Sequence, residues 1–316
     1  MGIIDVKELK KHFPLKKGLL ARQAWLKAVD GVTFELQDGK VFALVGESGS
    51  GKSTVARLIL RLISPTSGSI LFQGQNIYDL QGDSLRAFRK SVQIIFQDPF
   101  ASLNPRMTVF DTVSEPLKIH NIVSRDELQD KVVYLLESVG IGHDVLNRYP
   151  HEFSGGQRQR ICIARALAVS PKLLVADEPL SALDVSIQAQ ILNILQDLQK
   201  ESHISFLFIS HDLRVVQYFS DEVAVMYLGK IVEHAATDEL FTKPLHPYTV
   251  ELLTSAPKLR PDGRKKAPLK GDVPSPIDIP PGCPFHPRCP KKFDPCDTFV
   301  PELKKTQRRL LSCHLY

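Results

Sequence analysis

A glycine-rich loop between an apolar run and a helix-like segment is the feature that most constrains the fold of this chain. Residues 46–54 read Gly-Glu-Ser-Gly-Ser-Gly-Lys-Ser-Thr and match the pattern G-x-x-x-x-G-K-[ST]. Residues 41–45 are apolar throughout, as in a strand buried in a parallel sheet, and residues 55–62 continue as a helix. Strand, loop and helix in this order predict a phosphate-binding loop. The alternative is a flexible surface turn.

The residue types of this loop suit a nucleotide. Small residues let backbone N–H groups turn inward around phosphate oxygens. Lys52 would place its charge at the β- and γ-phosphates, and the Ser53 hydroxyl would reach Mg²⁺. The predicted nucleotide-binding residues of the loop are Gly46, Ser48, Gly49, Ser50, Gly51, Lys52, Ser53 and Thr54.

A second anion-binding element is predicted far along the chain. It reads Ser154, Gly155, Gly156 and Gln157, and a helix-like segment follows it. The N–H groups and the dipole of that helix also suit an anion. Two phosphate-recognising elements so far apart indicate a nucleotide held between two protein surfaces.

Polar residues end three further predicted strands. Asp177 and Glu178 follow the run 173–176, Gln97 follows the strand 92–96, and His211 comes after the strand 205–209. The carboxyl ends of parallel strands are where α/β sheets bind ligands. Asp177 is suited to hold Mg²⁺, Glu178 to orient or deprotonate the attacking water, His211 to contact the γ-phosphate, and Gln97 to ligate Mg²⁺ or the water. The alternatives are two solvated loop acids and a structural histidine.

Composition limits the function classes. The chain has 316 residues, of which 43% are hydrophobic and 24% charged, and its net charge of +5 does not imply nucleic acid. No apolar run reaches the length of a membrane span, and the N-terminus lacks a signal-peptide pattern, so we expect a cytosolic protein that reaches a membrane through a partner. Strand patterns flank a helical stretch at about 105–170, which predicts a parallel α/β core with a helical insertion.

The C-terminal region is rich in proline and holds four of the five cysteines. Their spacing is Cys283-x₅-Cys289-x₆-Cys296-x₁₆-Cys313. Disulfides are disfavoured in a reducing cytosol, so a thiolate-bound metal site is the interpretation that the residues favour. The spacing lacks the C-x₂₋₄-C pairs of structural zinc and the common ferredoxin runs. Zinc, an iron–sulfur cluster and free thiols all stay open at this point.

The order of these motifs resembles the nucleotide-binding subunit of an ATP-binding cassette (ABC) transporter. Over residues about 5–245, the chain is similar to the family's Walker A, Q-loop, signature, Walker B, D-loop and switch-histidine series, with Asp184 in the D-loop. Phe153 stands where the signature usually begins with leucine. The resemblance implies a head-to-tail dimer in which the signature of one subunit caps ATP on the Walker A loop of the other. It also implies an aromatic residue stacked on adenine, for which Phe13 fits better than the alternative Trp25.

The C-terminal region narrows the resemblance to one branch of the family. Residues 245–249 (Leu-His-Pro-Tyr-Thr), residues 282–290 and residues 100–106 resemble oligopeptide/dipeptide importer ATPases, most closely the F-type subunit. Similar tails carry a [4Fe–4S] cluster, so the resemblance implies that Cys283, Cys289, Cys296 and Cys313 bind one, with zinc as the alternative. We expect this tail to be separable from the ATP chemistry.

The expected fold is α/β: a P-loop NTPase (RecA-like) ABC ATPase core with an antiparallel β subdomain, a helical subdomain and a small Cys-rich extension. The expected domains are 1–245, with the helical subdomain at about 98–170, and 246–316. The resemblance implies an ATPase that uses ATP and Mg²⁺ and pairs with a second homologous ATPase subunit. It places this pair beneath two transmembrane permease subunits at the cytoplasmic face of the inner membrane. An extracytoplasmic peptide-binding protein would deliver the cargo. Whether that pair is a homodimer or a heterodimer stays open. Nickel or another small solute as cargo, and a soluble non-transport ABC ATPase, are the alternatives.

Overall fold

The structure is a computed structural model that describes residues 2–15, 24–255 and 274–316. The strands are β1 Gly2–Leu15, β2 Ala24–Gln37, β3 Val41–Val45, β4 Ser67–Phe72, β5 Gln75–Asn76, β6 Val92–Ile95, β7 Leu173–Asp177, β8 Ser205–Ile209, β9 Glu222–Tyr227, β10 Lys230–Ala236, β11 Lys304–Thr306 and β12 Arg309–Leu311.

Helices alternate with these strands. They are α1 Lys52–Ile59, α2 Gly82–Ser91, α3 Pro99–Ser102, α4 Val109–Ile119, α5 Leu128–Ser138, α6 Gly155–Leu167, α7 Val185–Ser202, α8 Leu213–Phe219, α9 Thr237–Thr242 and α10 Pro247–Ser255. Short 3₁₀ turns lie at His143–Val145 and Pro150–Glu152.

The chain divides into two compact units. The first unit comprises Met1–Leu36, Val41–Tyr78 and Ser210–Tyr316, and the second comprises Gln37–Lys40 and Asp79–Ile209. The glycine-rich loop and the cysteine-rich region therefore belong to the first unit. Gln97, the Ser154 run and the two acids belong to the second.

Two sheet regions build the first unit. One is an antiparallel sheet in the order β2-β1-β4-β5, in which Ile4 faces Phe72. In the other, β3 runs parallel to β9, β10 pairs antiparallel with β9, and the C-terminal β12 pairs antiparallel with β10. All five residues of β3 are buried, as expected for a strand covered on both faces.

Parallel strands and a helical layer build the second unit. β7 lies between β6 and β8 and is parallel to both. Between β6 and β7 the chain forms α3, α4, α5, the two 3₁₀ turns and α6, and it contains no strand over these residues, all of which are described. The helices α3, α4 and α5 pack on α6. A local hydrogen bond marks the start of α4, where Thr108 Oγ1 accepts from Asp111 N at 3.1 Å as an N-cap.

The structure confirms the predicted α/β class and the helical stretch between strands. The strand predicted at 92–96 ends one residue earlier, at Ile95, and leaves Phe96 exposed. The helix predicted over 55–62 begins at Lys52 and ends at Ile59. Cys162 is buried in α6, and burial raises the pKa of its thiol to about 11.

Candidate functional site

The glycine-rich loop of the first unit connects β3 to α1 through backbone conformations that require glycine. Gly46 has φ 147° and Gly51 has φ 106°. A Cβ at Gly46 would lie 2.2 Å from the carbonyl oxygen of Met226, and one at Gly51 would lie 2.1 Å from that of Ala28. No side chain caps α1 at Gly51, so the helix N-terminus keeps the N–H pattern that binds phosphate.

Lys52, the first residue of α1, lies inside this loop and is only 5% exposed. Its Nζ donates to the carbonyl oxygens of Gly46 at 2.8 Å and Glu47 at 2.9 Å, and lies 3.3 Å from Ser50 Oγ. The loop therefore wraps around an ammonium group. This arrangement fits the phosphates of a nucleotide, because one backbone turn places both the lysine charge and the N–H groups of the uncapped helix start at the same loop.

The first unit also carries His211 at the turn before α8. His211 is exposed. Its neighbour Asp212 caps α8 by accepting from Arg214 N at 3.0 Å, and its carboxylate pairs with the Arg214 guanidinium at 2.7 Å. This hydrogen bond to Arg214 lowers the pKa of Asp212. The turn that carries the histidine is therefore held by its own side chains.

In the second unit, the structure brings Gln97 and Glu178 together. The Gln97 Nε2 donates to Glu178 Oε2 at 3.1 Å. Asp177 ends β7 and pairs with Ile209, and Glu178 N donates to the Ile209 carbonyl at 2.9 Å. Glu178 has φ 49°, a conformation that a non-glycine residue adopts rarely and that is enriched at functional sites. The predicted strand-end cluster of glutamine and carboxylates is thus present in this unit.

The Ser-Gly-Gly-Gln run forms the start of α6. Ser154 Oγ accepts from Gln157 N at 3.4 Å, while Gln157 Oε1 accepts from Ser154 N at 3.1 Å, which is a capping box. Ser154 and Gln157 are exposed, whereas Gly156 is buried, and a Cβ there would lie 2.5 Å from Cγ2 of Ile187. Within this unit the run thus presents two exposed polar side chains on a tightly packed helix start.

The predicted D-loop residue Asp184 is the N-cap of α7. Its Oδ1 accepts from Ile187 N at 3.0 Å and from Ser186 Oγ at 2.7 Å. The hydrogen bond from the Ile187 backbone N–H and, after it, the hydrogen bond from the Ser186 hydroxyl lower the pKa of this exposed carboxyl group. The loop before it is tied to the second acid, since Ser181 Oγ donates to the Glu178 carbonyl at 3.1 Å.

The two aromatic candidates for adenine stacking lie on neighbouring strands of the first unit. Phe13 is half-buried on β1, and Lys11 Nζ lies 5.0 Å from the centre of its ring. Trp25 is 43% exposed on β2, the strand that approaches the glycine-rich loop at Ala28. Neither geometry selects one ring, so Phe13 stays a prediction.

The predicted metal site at Cys283, Cys289, Cys296 and Cys313 is not supported by the structure. In residues 2–15, 24–255 and 274–316, no group of three or more His, Cys, Asp or Glu side chains is arranged to hold a metal ion. Burial raises the pKa of the Cys283 thiol to about 11 and also raises the pKa of Cys289 and Cys313.

Sequence reasoning missed the partners of Glu47, a variable position of the loop pattern. Tyr248 and Arg288 both bind Glu47. They lie in the two C-terminal motifs that resemble the importer branch of the family. The signal was present as a tyrosine and an arginine inside two family-like motifs. Nothing local in the sequence connects either residue to position 47.

The part of the chain that the structure describes contains no helix that is both long and apolar enough to cross a membrane.

Comparison with known proteins agrees with this geometry. Residues 29–181 match the family described as ABC transporter, and residues 232–296 match the C-terminal region of oligopeptide/dipeptide transporters. The chain is 51% identical to the oligopeptide transport ATP-binding protein AppF of Bacillus subtilis, over 99% of this chain and 97% of that protein. It is 48% identical to the dipeptide transport ATP-binding protein DppF of Escherichia coli, over 98% and 93%.

Solved structures show the same fold. A dimeric, ADP- and phosphate-bound structure of the ATP-binding cassette MJ0796 superimposes with a TM-score of 0.65 and 27% identity, over 74% of this chain and 98% of that one. The cbiO1 protein from Clostridium perfringens superimposes with a TM-score of 0.65 and 30% identity, over 77% of this chain and 91% of that one. The fold is therefore that of a P-loop ATPase cassette, and the chain belongs to the ATP-binding subunits of ABC transporters, as an ATPase that carries the C-terminal region of the oligopeptide/dipeptide branch.

Proposed function

We propose that this chain hydrolyses ATP to drive the import of dipeptides or oligopeptides through a membrane transporter. The observation that carries the proposal is the Lys52 ammonium enclosed by the loop carbonyls of Gly46 and Glu47 at the start of α1. Relatives that are 47–51% identical over 98–99% of the chain are named as oligopeptide, dipeptide and di/tripeptide transport ATP-binding proteins, which supports a peptide cargo over nickel or another solute.

The roles of the site residues follow from their chemistry. The loop residues bind the phosphates, and Lys52 neutralises charge at the β- and γ-phosphates. Ser53, Gln97 and Asp177 would hold Mg²⁺, which when bound neutralises charge that develops on the phosphate oxygens. Glu178 orients and deprotonates the attacking water, and its 3.1 Å hydrogen bond from Gln97 fixes the orientation of the carboxylate.

The signature and D-loop residues act, in this proposal, on a second subunit. Ser154, Gly155, Gly156 and Gln157 bind the nucleotide of a homologous ATPase partner, with Asp184 at the same interface. Exposure of the Ser154 and Gln157 side chains at a helix N-terminus supports this role. The dimeric state named for the MJ0796 cassette supports the pairing of two such subunits. His211 contacts the γ-phosphate, and Phe13 stacks on adenine.

The proposed assembly places this subunit at the cytoplasmic face of the cell membrane. Two permease subunits would span the membrane, and an extracytoplasmic binding protein would deliver the peptide. Residues 1–245 form the cassette and residues 246–316 the extension. A [4Fe–4S] cluster on the four cysteines, implied by the family resemblance, would require those thiols to deprotonate and move together, since their arrangement does not fit a metal ion as it stands.

Transport in reconstituted vesicles tests the function. The chain is co-expressed with two candidate permease subunits and a second candidate ATPase subunit, and uptake of a labelled tripeptide is measured with ATP. We expect ATP-dependent uptake that Lys52→Ala abolishes. Uptake of Ni²⁺ but of no di- to pentapeptide would assign the alternative cargo. ATP hydrolysis without association with any permease would point to a soluble ABC ATPase.

A further inference from the structure

The C-terminal region of the first unit reaches the phosphate-binding loop at Glu47, which is held at three points. The Glu47 N–H donates to Tyr248 Oη at 2.9 Å. Its carbonyl accepts from Lys52 Nζ at 2.9 Å. Its carboxylate accepts from both terminal nitrogens of Arg288, at 2.8 and 2.9 Å. One residue of the loop therefore joins the helix-start lysine to two residues that lie 201 and 241 positions later.

The pair of Arg288 and Glu47 is shielded from water. The arginine side chain is 3% exposed and the glutamate side chain 20%. The hydrogen bonds to Glu47 raise the pKa of Arg288 further above its usual range. A bidentate arginine–carboxylate pair combines charge neutralisation with a fixed geometry, and removing one partner leaves the other charge buried and uncompensated.

An aromatic cluster makes the supports of Glu47 rigid. Tyr248 and Phe285 are fully buried, and their ring centres lie 4.7 and 5.3 Å from that of Tyr227 and 5.4 Å from each other. The Tyr248 N–H donates to His246 Nδ1 at 3.0 Å, and the Arg288 N–H donates to the Phe285 carbonyl at 3.0 Å. Both groups that bind Glu47 are therefore fixed by packing and by backbone hydrogen bonds.

We propose that Tyr248 and Arg288 are positioning residues for ATP binding, which act through Glu47. Tyr248 orients the backbone of the loop, and Arg288 neutralises a carboxylate that would otherwise repel the phosphates of ATP. The inference rests on the proposed function, because it requires the loop to bind ATP. At about 10 Å and an effective dielectric constant of about 20, one unneutralised charge beside a phosphate weakens binding by about tenfold or more.

A charge cycle in the full-length chain tests this inference by titration with a fluorescent ATP analogue. Arg288→Met removes the guanidinium, and we expect it to raise the Kd for the analogue about tenfold. Adding Glu47→Gln to that variant removes the stranded carboxylate and should restore most of the affinity. Arg288→Lys keeps the charge and should lie between Arg288→Met and the wild type. A merely structural pair would shift the urea midpoint of unfolding in these variants but leave the Kd of each folded variant at the wild-type value.

Arg309 provides a matched control in the same unit. Among the described residues of the C-terminal region, it forms the other buried arginine–glutamate pair, at 2.8 Å from Glu233, with 4% of its side chain exposed. Arg309→Met should lower the stability of the unit while the Kd for the analogue stays within about twofold of the wild type. Equal losses of affinity in Arg309→Met and Arg288→Met would overturn the specific role of Arg288.

Two further variants keep the outcomes distinct. If Arg288→Met does not fold, as reported by Trp25 fluorescence, Tyr248→Phe removes only the hydroxyl that binds Glu47 N and should still raise the Kd about threefold to tenfold. An unchanged Kd in that variant would then refute the inference. If the wild type does not bind the analogue, the proposed function is refuted instead. If the wild type binds it, Lys52→Ala abolishes that binding and Arg288→Met leaves it intact, only the positioning role is refuted.

Discussion

Two glycines of the phosphate-binding loop separate the cost of backbone strain from the cost of a steric clash. Gly49 and Gly51 both have positive φ, 78° and 106°. A Cβ at Gly49 meets nothing within 4 Å, whereas one at Gly51 would lie 2.1 Å from the carbonyl oxygen of Ala28 on β2. Alanine at either position therefore suffers the left-handed strain, but only Gly51→Ala forces two backbone segments apart.

The magnitudes follow from this difference. Left-handed backbone costs an alanine about 1–2 kcal/mol, so Gly49→Ala should lower the free energy of unfolding by about that amount. Overpacking adds about 1–3 kcal/mol at Gly51, because a carbonyl on a paired strand cannot rotate away as a side chain would. Gly51→Ala should thus cost about 2–5 kcal/mol in total. The change in the unfolded state, glycine to alanine, is the same in both variants and cancels in their difference.

Urea unfolding, monitored by Trp25 fluorescence, measures this difference in free energy in the compact unit that contains the loop. Trp25 is the single tryptophan of the chain and lies on β2, three residues before Ala28. The measurement is made without nucleotide, so that lost ATP binding does not contribute. If both variants unfold at the same urea concentration, the close approach of the loop to β2 is refuted. A larger loss for Gly49→Ala would refute it equally.

Three other outcomes are expected. Glu178→Gln should keep ATP affinity but lower turnover by at least about 100-fold, trapping a closed dimer; near-normal hydrolysis would remove Glu178 from the water-activating role. Gly156→Asp should prevent ATP-dependent dimerisation in size-exclusion chromatography while the isolated subunit still binds ATP, and loss of that binding would indicate a damaged fold instead. Burial lowers the pKa of His246 to about 3, against an ordinary value of 6.5. Between these two pH values the unfolded chain therefore binds one proton at His246 that the folded chain does not bind. Stability should therefore fall by up to about 1.4 kcal/mol per pH unit between 6.5 and 3, and His246→Asn should flatten that slope in urea titrations; an unchanged slope would contradict the assignment.

Local patterns in the sequence were sufficient for the strand, loop and helix around Lys52. An apolar run, a glycine pattern and helical periodicity are each set by neighbours within a few residues, and the structure places β3 and α1 accordingly. The same holds for Glu178, because a strand that ends in acids places them at the sheet edge whatever its partners are. The hydrogen bond from Gln97 followed from that shared edge.

Other features depended on partners distant in the chain. The first strand, Gly2–Leu15, is rich in lysine, and its strand state depends on antiparallel pairing with β4, more than 55 residues away in the register Ile4 to Phe72. The metal prediction at the cysteines relied on their clustering in the sequence and on the family resemblance, and neither determines where the sulfur atoms point. Glu47 occupies a position that the loop pattern leaves variable, so its contacts could come only from the fold.

The contacts of the C-terminal region argue against the expectation that it is separable from the ATP chemistry. Glu233 on β10 is fully buried, and its carboxylate accepts from Leu245 N and His246 N at 3.0 Å each and from Arg309 Nη1 at 2.8 Å. Three donors compensate this buried carboxylate, two of them the backbone N–H groups of Leu245 and His246, so the turn before α10 and the terminal strand β12 are tied to one residue of the sheet. The same segment continues into Tyr248, which binds the phosphate loop. Removal of the region would therefore leave a charge buried in the sheet and free the loop at Glu47, which makes the extension part of the structure that shapes the nucleotide site.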